Sequence, residues 1–308
     1  MTMLSRVANN IYWMARYLER AENTARLVNV NGHLLLDLPK GVRLGWEPII
    51  AITHSRDLFF SLYDEASERN VVRFLVADVK NPDSILSALG RARENARTVR
   101  DIIPREAWEQ VNELYLIAKN NSTSVVTHRH RFDNLRAIML GVQTINGLLA
   151  GAMTHDEGYN FLRMGRNLER ADMTTRIIDV RSATLLPEIG ENSKPFDHLQ
   201  WMSVLKSLTA YQMYRRETGL RVSRREVLKF LLQEDRFPRA FHHTLREIKN
   251  CLEDLPHNEK PLRVLRKLQR ELLRAKPEEL KQDKLHDFID VLQLGLIKLN
   301  KSIATTYF

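Results

Sequence analysis

Two stretches of this chain set carboxylates and guanidiniums at helical spacing: Tyr17-Leu18-Glu19-Arg20-Ala21-Glu22 and Asn167-Leu168-Glu169-Arg170-Ala171-Asp172. At 3.6 residues per turn, Met14, Leu18, Ala21, Ala25 and Val28 share an apolar face, and Glu19 falls opposite with Arg16, Arg20 and Arg26. A solvated face would be polar throughout. Here Tyr12, Leu27 and Val30 interleave with the charges, as Leu162, Ile177 and Val180 do in the second stretch. The pattern predicts two helices packed on both sides, with Arg16, Glu19, Arg20 and Arg26, and likewise Arg166, Glu169, Arg170 and Arg176, in a partly buried seam. Ala15 and Gly165, one turn before each Glu, permit close backbone approach.

A buried ion is costly unless paired. Glu19 with Arg16 or Arg26, Glu169 with Arg166 or Arg176, or a pair between the two stretches would supply the partner. Three chemistries remain open. The groups form a structural ion-pair lattice, or they line a pocket, or they are plain surface charge. In the pocket, surplus arginines would take a carboxylate or phosphate while Glu positions an amine or hydroxyl. A second basic feature, Arg93, Arg97 and Arg100 at i, i+4 and i+7, reads as a stripe, either solvated or facing an anion or acidic partner. A comparable basic cluster gathers Arg215, Arg216, Arg224, Arg225 and Arg239.

Other chemistry finds little footing. His128-Arg129-His130 and His242-His243 lack ligand spacing, and Asp254…His257 and Asp283…His286 use Asp where a helical di-iron site needs Glu-x-x-His. Cys251 has no recognisable catalytic partner and reads as a core thiol. There is no Gly-rich phosphate loop and no Gly-x-Ser-x-Gly elbow. No cofactor or metal is therefore expected.

The elements that must carry these residues are helical. Apolar positions recur at three and four over residues 5–36, 84–103, 106–119, 131–153, 157–183, 198–216, 237–253, 260–274 and 284–304, and hairpin signals are missing. Pro82 in Asn81-Pro82-Asp83-Ser84 is expected to start one helix and Pro104 to end it. The small residues of Gly147-Leu148-Leu149-Ala150-Gly151 suggest close packing in the core.

The halves also resemble each other. Residues 10–30 set against 160–180 match at Asn10, Met14, Arg16, Leu18, Glu19, Arg20, Ala21, Thr24, Arg26 and Val30, where roughly one or two identities would arise by chance. Trp46 then pairs with Trp201, Phe74-Leu75 with Phe230-Leu231, Pro82 with Pro238, and Gly141 with Gly295. A longer loop at 185–198 accounts for the drift in register. The expected fold is all-α, a tandem-duplicated helical bundle (1–152 and 153–308) with pseudo-two-fold symmetry and a shared core.

With 47 Lys plus Arg against 38 Asp plus Glu, the 308-residue chain carries a net charge of +9, which permits an anionic partner. A single cysteine excludes an internal disulfide, and residues 1–13 lack the pattern of a secretory signal, so a cytoplasmic location is expected. The longest uncharged run, 137–154, is interrupted by Gln143, Thr144 and Asn146 and reads as a buried helix rather than a membrane span. Nucleic-acid binding is disfavoured, since the basic residues do not interleave with aromatics.

Ser5-Arg6-Val7-Ala8-Asn9-Asn10-Ile11-Tyr12-Trp13, leading into Arg16-Tyr17-Leu18-Glu19-Arg20-Ala21-Glu22, resembles the opening of bacterial alpha-E domain proteins, a helical family named for a Glu-Arg motif. Asn81-Pro82-Asp83-Ser84-Ile85, Arg93-Glu94-Asn95-Ala96-Arg97, Trp108-Glu109, Phe161-Leu162-Arg163-Met164-Gly165-Arg166, Leu168-Glu169-Arg170-Ala171-Asp172 and Phe237-Pro238-Arg239 extend the resemblance along the chain; Asn167 departs from it where an aromatic like Tyr17 is typical. The resemblance implies a setting beside ATP-grasp proteins that look like carboxylate-amine ligases and beside transglutaminase-like proteins. The resulting expectation is a non-enzymatic accessory, scaffold or substrate-binding subunit with such a protein as partner, holding a peptide or anionic small molecule. The alternative is an enzyme acting on an amide or carboxylate substrate through Glu19 and Glu169.

Overall fold

The computed structural model describes residues 3–37, 45–183 and 194–308. Among them every regular element is helical: α1 (Ser5–Asp37), α2 (Glu47–Ile52), α3 (Arg56–Leu62), α4 (Glu68–Val76), α5 (Ile85–Thr98), α6 (Arg105–Asn120), α7 (His128–Ala152), α8 (Glu157–Ala183), α9 (Lys194–Ser207), α10 (Tyr211–Thr218), α11 (Arg224–Gln233), α12 (Phe241–Glu253), α13 (Glu259–Arg274) and α14 (Gln282–Tyr307). The chain gathers into two compact units, Met1–Arg166 and Asn167–Phe308, and the division falls inside α8. Of the expected loop at 185–198, residues 185–193 lie outside the described residues, and from Lys194 the chain is already helical.

In the first unit α1 packs against α5, α7 and α4, while α6 bridges α5 and α7. The interleaved apolar and polar pattern of α1 is the reason it can do so: Tyr12, Met14, Leu18, Ala21, Leu27 and Val28 are all buried, covering several faces of one helix. Residues 157–166 of α8 cross α1 closely. A Cβ on Gly165 would lie 2.2 Å from the carbonyl oxygen of Tyr12, so only glycine allows the backbones to meet there. In the second unit α13 packs on α14 and α12, and α11 on α12, α9 and α10.

Four helices escape the periodicity. α2, α3, α4 and α11 span six to ten residues each, too few turns for a 3.6-residue repeat to stand out. In α4 and α11 the caps carry the signal instead: the side chains of Ser67 and Ser223 accept from the Asn70 and Glu226 backbone N–H, and Ser223-Arg224-Arg225-Glu226 has the spacing of a capping box. Buried Phe74 then meets Phe59 edge-on at 5.1 Å, and Phe230 meets Tyr214 edge-on at 5.6 Å.

The helix expected over 198–216 is two helices. Thr209, at φ 55°, ends α9 in a left-handed conformation, with its N–H on Lys206 O (3.1 Å) and the Ala210 N–H on Leu205 O (2.7 Å). This is a Schellman stop, usually made by glycine. His54 makes the same stop after α2 at φ 54°, its N–H on Ala51 O and the Ser55 N–H on Ile50 O. With no glycine at either position, the sequence offers no punctuation there.

Other boundaries differ from expectation. Ser84, rather than Pro82, caps α5 and accepts from Ser87 N–H. The helix ends at Thr98, five residues before the expected end, because residues 99–103 fold into a turn closed on the Val99 carbonyl. Phe237, Pro238 and Arg239 lie ahead of α12 rather than within it. Gly147 and Gly151 are not packing contacts: a Cβ on either would meet nothing within 4 Å, since both sit on the solvent side of α7. The apolar run in this helix is correspondingly buried along one face only, at Leu135, Ile138, Val142, Ile145 and Leu149. Residues 130–152 are long and apolar enough to cross a membrane by length and composition, and 28% of that window is buried.

Gly165→Ala is expected to destabilise the chain by about 1–3 kcal/mol, because the added methyl overpacks the crossing with α1. Thr209→Gly should do the opposite, by about 1 kcal/mol, by relieving a β-branched residue of left-handed geometry. Urea unfolding of the two variants reads both signs.

Candidate functional site

Each unit carries its own Glu-Arg segment, on α1 in the first and on residues 167–183 of α8 in the second, and the acids of both are withdrawn from water. Glu19, Glu22 and Glu169 are 1%, 1% and 2% exposed, and Arg16 is 8% exposed. Each is engaged in polar, ring or electrostatic contacts with its neighbours, as Arg20, Arg26, Arg166 and Arg170 are. Arg26 meets an acid that the sequence reading did not single out, Glu22. Its Nη2 bonds Glu22 Oε1 at 2.5 Å, one helical turn back, and Gln143 Nε2 of α7 donates to the same oxygen at 3.3 Å. In the second unit Arg176 pairs with Asp172 at 2.9 Å in the same i, i+4 relation. Arg20 reaches across to Asp83, 2.5 Å away in the loop before α5. That loop is set by buried Asn81, whose amide donates to Phe74 O and whose carbonyl accepts from the Asp83 N–H. The acids missed in choosing partners, Glu22, Asp83 and Asp172, differ in legibility: i, i+4 spacing points to two of them, whereas only the fold brings Asp83 to Arg20.

Beside this seam α1 and α5 open a cleft of about 660 Å³. Trp13 and Tyr17 are among its lining residues, with ring centroids 5.4 Å apart, and Pro82 and Val79 line it as well. Asn9, Asn10, Asn95, Arg91 and Glu94 supply the polar groups. Two guanidiniums lie over the Tyr17 ring, Arg20 at 5.7 Å and Arg91 at 5.6 Å from its centroid. Arg20 is neutralised by Asp83, whereas Arg91 has no carboxylate within salt-bridge distance among the described residues. Arg16 stacks on the Trp13 ring at 4.6 Å. This cleft was not anticipated from sequence, since Trp13 and Tyr17 belong to one helix and Arg91 to another.

The arginine stripe is altered by the fold. Arg100 lies on the turn after α5, so only Arg93 and Arg97 share that helix. Glu94 accepts from both, through Oε1 and Oε2 at 3.0 Å each, and Arg93 also donates to Asn112 at 2.6 Å. Arg100 stands 3.9 Å from Asp101. In the second unit Arg224 is half-buried, donates to Leu280 O at 2.7 Å and has its pKa lowered by burial, while Arg236 bridges Glu217 and Glu234. Arg181 is buried on α8, which brings its pKa down to about 10. Cys251 is fully buried.

One trio offers metal-type donors, Asp179, His286 and Asp290, with ligand atoms within 4.8 Å of one another. Both imidazole nitrogens already face acids: Nδ1 lies 2.7 Å from Asp179 and Nε2 3.8 Å from Asp290. The arrangement ties α14 to α8 through an imidazole set between two carboxylates, reinforced by Gln282 donating to Ser182 at 2.9 Å. The hydrogen bond to Asp179 and its charge raise the His286 pKa above 6.5.

An all-helical chain whose leading helix buries a Glu-Arg motif is the class of protein defined by this geometry. The chain belongs to the Alpha-E family, described as a predicted alpha-helical domain with a conserved ER motif, which it matches over residues 3–308. It is similar to an uncharacterized protein of Mycobacterium bovis and to two of Mycobacterium tuberculosis, each 24% identical over 298 residues. Those matches cover 90% of this chain, which spans about a third (33%) of the length of these curated relatives. No solved structure matches the chain significantly.

Because the folded pKa of His286 lies above its unfolded value, the stability it contributes is complete below pH 6.5 and is lost as pH rises through the folded pKa. Wild type should therefore show a small fall in melting temperature between about pH 6 and pH 8 that His286→Gln lacks. Identical pH profiles for the two proteins would sink this assignment.

Proposed function

We propose that this chain is a non-enzymatic accessory subunit, working with an ATP-grasp-type or transglutaminase-like protein of the bacterial cytoplasm and holding an amide-linked peptide substrate for it. The observation that carries this reading is the division of labour between seam and cleft. The carboxylates with the spacing to act as acid or base, Glu19 and Glu169, are buried and engaged. The groups facing solvent beside them are binding groups: aromatic rings for apolar or cationic side chains, carboxamides that both donate and accept as a peptide group does, and the Arg91 guanidinium for a carboxylate.

Two further observations favour a protein partner. Val291, Leu294 and Ile297 on α14 are 45%, 54% and 64% exposed and lie along one side of the helix, an apolar stripe of the kind that marks docking surfaces. In the mycobacterial relatives, the segment similar to this chain is a third of a longer polypeptide, as befits a part that works joined to others.

Tandem duplication belongs to the same reading. Local devices recur at matched positions in each unit: the stops at His54 and Thr209, the serine caps at Ser67 and Ser223, and the aromatic pairs on Phe74 and Phe230. A Cβ on Gly141 would lie 2.6 Å from Leu114 Cδ1, and one on Gly295 2.5 Å from Leu268 Cδ1. The Tyr17 ring of the cleft has no counterpart in the second copy, where Asn167 stands. On this reading one copy keeps the binding surface and the other supports it.

Co-expression with an ATP-grasp-type protein of the same genome, followed by size-exclusion chromatography, tests the proposal. A complex is expected that survives Glu19→Gln and Glu169→Gln, although each substitution lowers stability by up to about 3–5 kcal/mol. Turnover of an amide substrate by the purified chain, abolished by those substitutions without loss of fold, would establish an enzyme instead.

A further inference from the structure

Four uncommitted donors converge on a second cavity in the first unit, about 380 Å³ in volume, and no acid lines it. Arg69 and Arg73 stand one turn apart on α4, and Ser122 and Thr123 come from the turn after α6, with Ala77 completing the wall. Among the described residues neither guanidinium has a salt bridge, and neither hydroxyl has a hydrogen-bond partner. Two like charges at i, i+4 repel, so the bare helix carries a cost that an anion between them would remove.

The cavity is held in shape from behind. Glu68, the one acid on α4, is turned away to the guanidinium of Arg131, which is 2% exposed. The same guanidinium donates to Val125 O at 3.4 Å and lies over the Trp46 ring at 5.8 Å. Arg131 thereby ties the turn that bears Ser122 and Thr123 to the helix that bears Arg69 and Arg73, and it removes the acid that would otherwise compete for them.

We propose that this cavity binds a phosphate group. A carboxylate offers two coplanar oxygens, which a single guanidinium fork satisfies. Donors arriving from two sides, forks from the helix and hydroxyls from the turn, suit the tetrahedral oxygens of phosphate, either as the free ion or as a monoester on a larger molecule. The site is separate from the Trp13 cleft and stands whether or not the accessory-subunit reading does.

The test is calorimetric titration of the full chain with inorganic phosphate and with O-phosphoserine, at constant ionic strength, with acetate as the control. Saturable phosphate binding is expected, weakened at least tenfold in Arg69→Gln and in Arg73→Gln and severalfold in Ser122→Ala/Thr123→Ala. Both arginines are solvent-exposed, so melting temperatures in chloride should match wild type and separate lost binding from lost fold. Tighter binding of phosphoserine than of phosphate assigns a monoester, and equal binding assigns the free ion. The proposal is overturned if no saturable phosphate binding occurs, if acetate binds as well as phosphate, or if the arginine variants bind like wild type.

Discussion

The rest of the structure depends on holding charge out of water along α1 and α8. A carboxylate at 1–2% exposure is tolerable only beside cations and hydrogen-bond donors, so wherever Glu19, Glu22 and Glu169 sit, neighbours must be brought to them. That requirement explains why Glu22 has Arg26 one helical turn away. It also explains why α7 contributes the Gln143 amide to Glu22. Apolar burial alone would let these helices slide or rotate against their neighbours; a buried charge with a directional partner admits one register.

The units are punctuated by geometry more than by composition. Thr209 and His54 stop helices in a left-handed conformation that glycine ordinarily supplies, and a short helix follows each stop. Holding a residue other than glycine there costs on the order of 1–3 kcal/mol, and the helices that follow bring in the buried Phe59–Phe74 and Tyr214–Phe230 pairs, which offset it. Gly165 answers an opposite need, since there the constraint is the closeness of α1 rather than a backbone angle.

Interior and surface are thus distinct in chemistry. Of the motif for which the family is described, Glu19 and Glu169 are interior in this chain, and Arg20 is paired with Asp83. The surface next to it, where Trp13, Tyr17 and Arg91 meet, is where a ligand can reach aromatic, amide and guanidinium groups together. The net charge of +9 is also unevenly available: Glu94 binds Arg93 and Arg97, and Glu68 binds the buried Arg131, while Arg69, Arg73 and Arg91 are left without acids among the described residues.

The helical class, the long elements and the burial of the Glu-Arg helices were legible in the residues because each rests on local periodicity: apolar residues on several sides of α1 and α8 leave no solvent face for Glu19 or Glu169. Short helices such as α2 and α11 were hidden because two turns cannot display a period, and the break at Thr209 because its left-handed angle is imposed by packing, not by residue type. Which acid meets which arginine was decided partly in three dimensions. Glu22 and Asp172 lie one helical turn from Arg26 and Arg176, a relation that spacing records, whereas only the loop before α5 brings Asp83 to Arg20. The cleft and the Arg69–Arg73 cavity belong wholly to tertiary structure, since sequence spacing registers neighbours along a chain and carries no record of residues brought together from different helices.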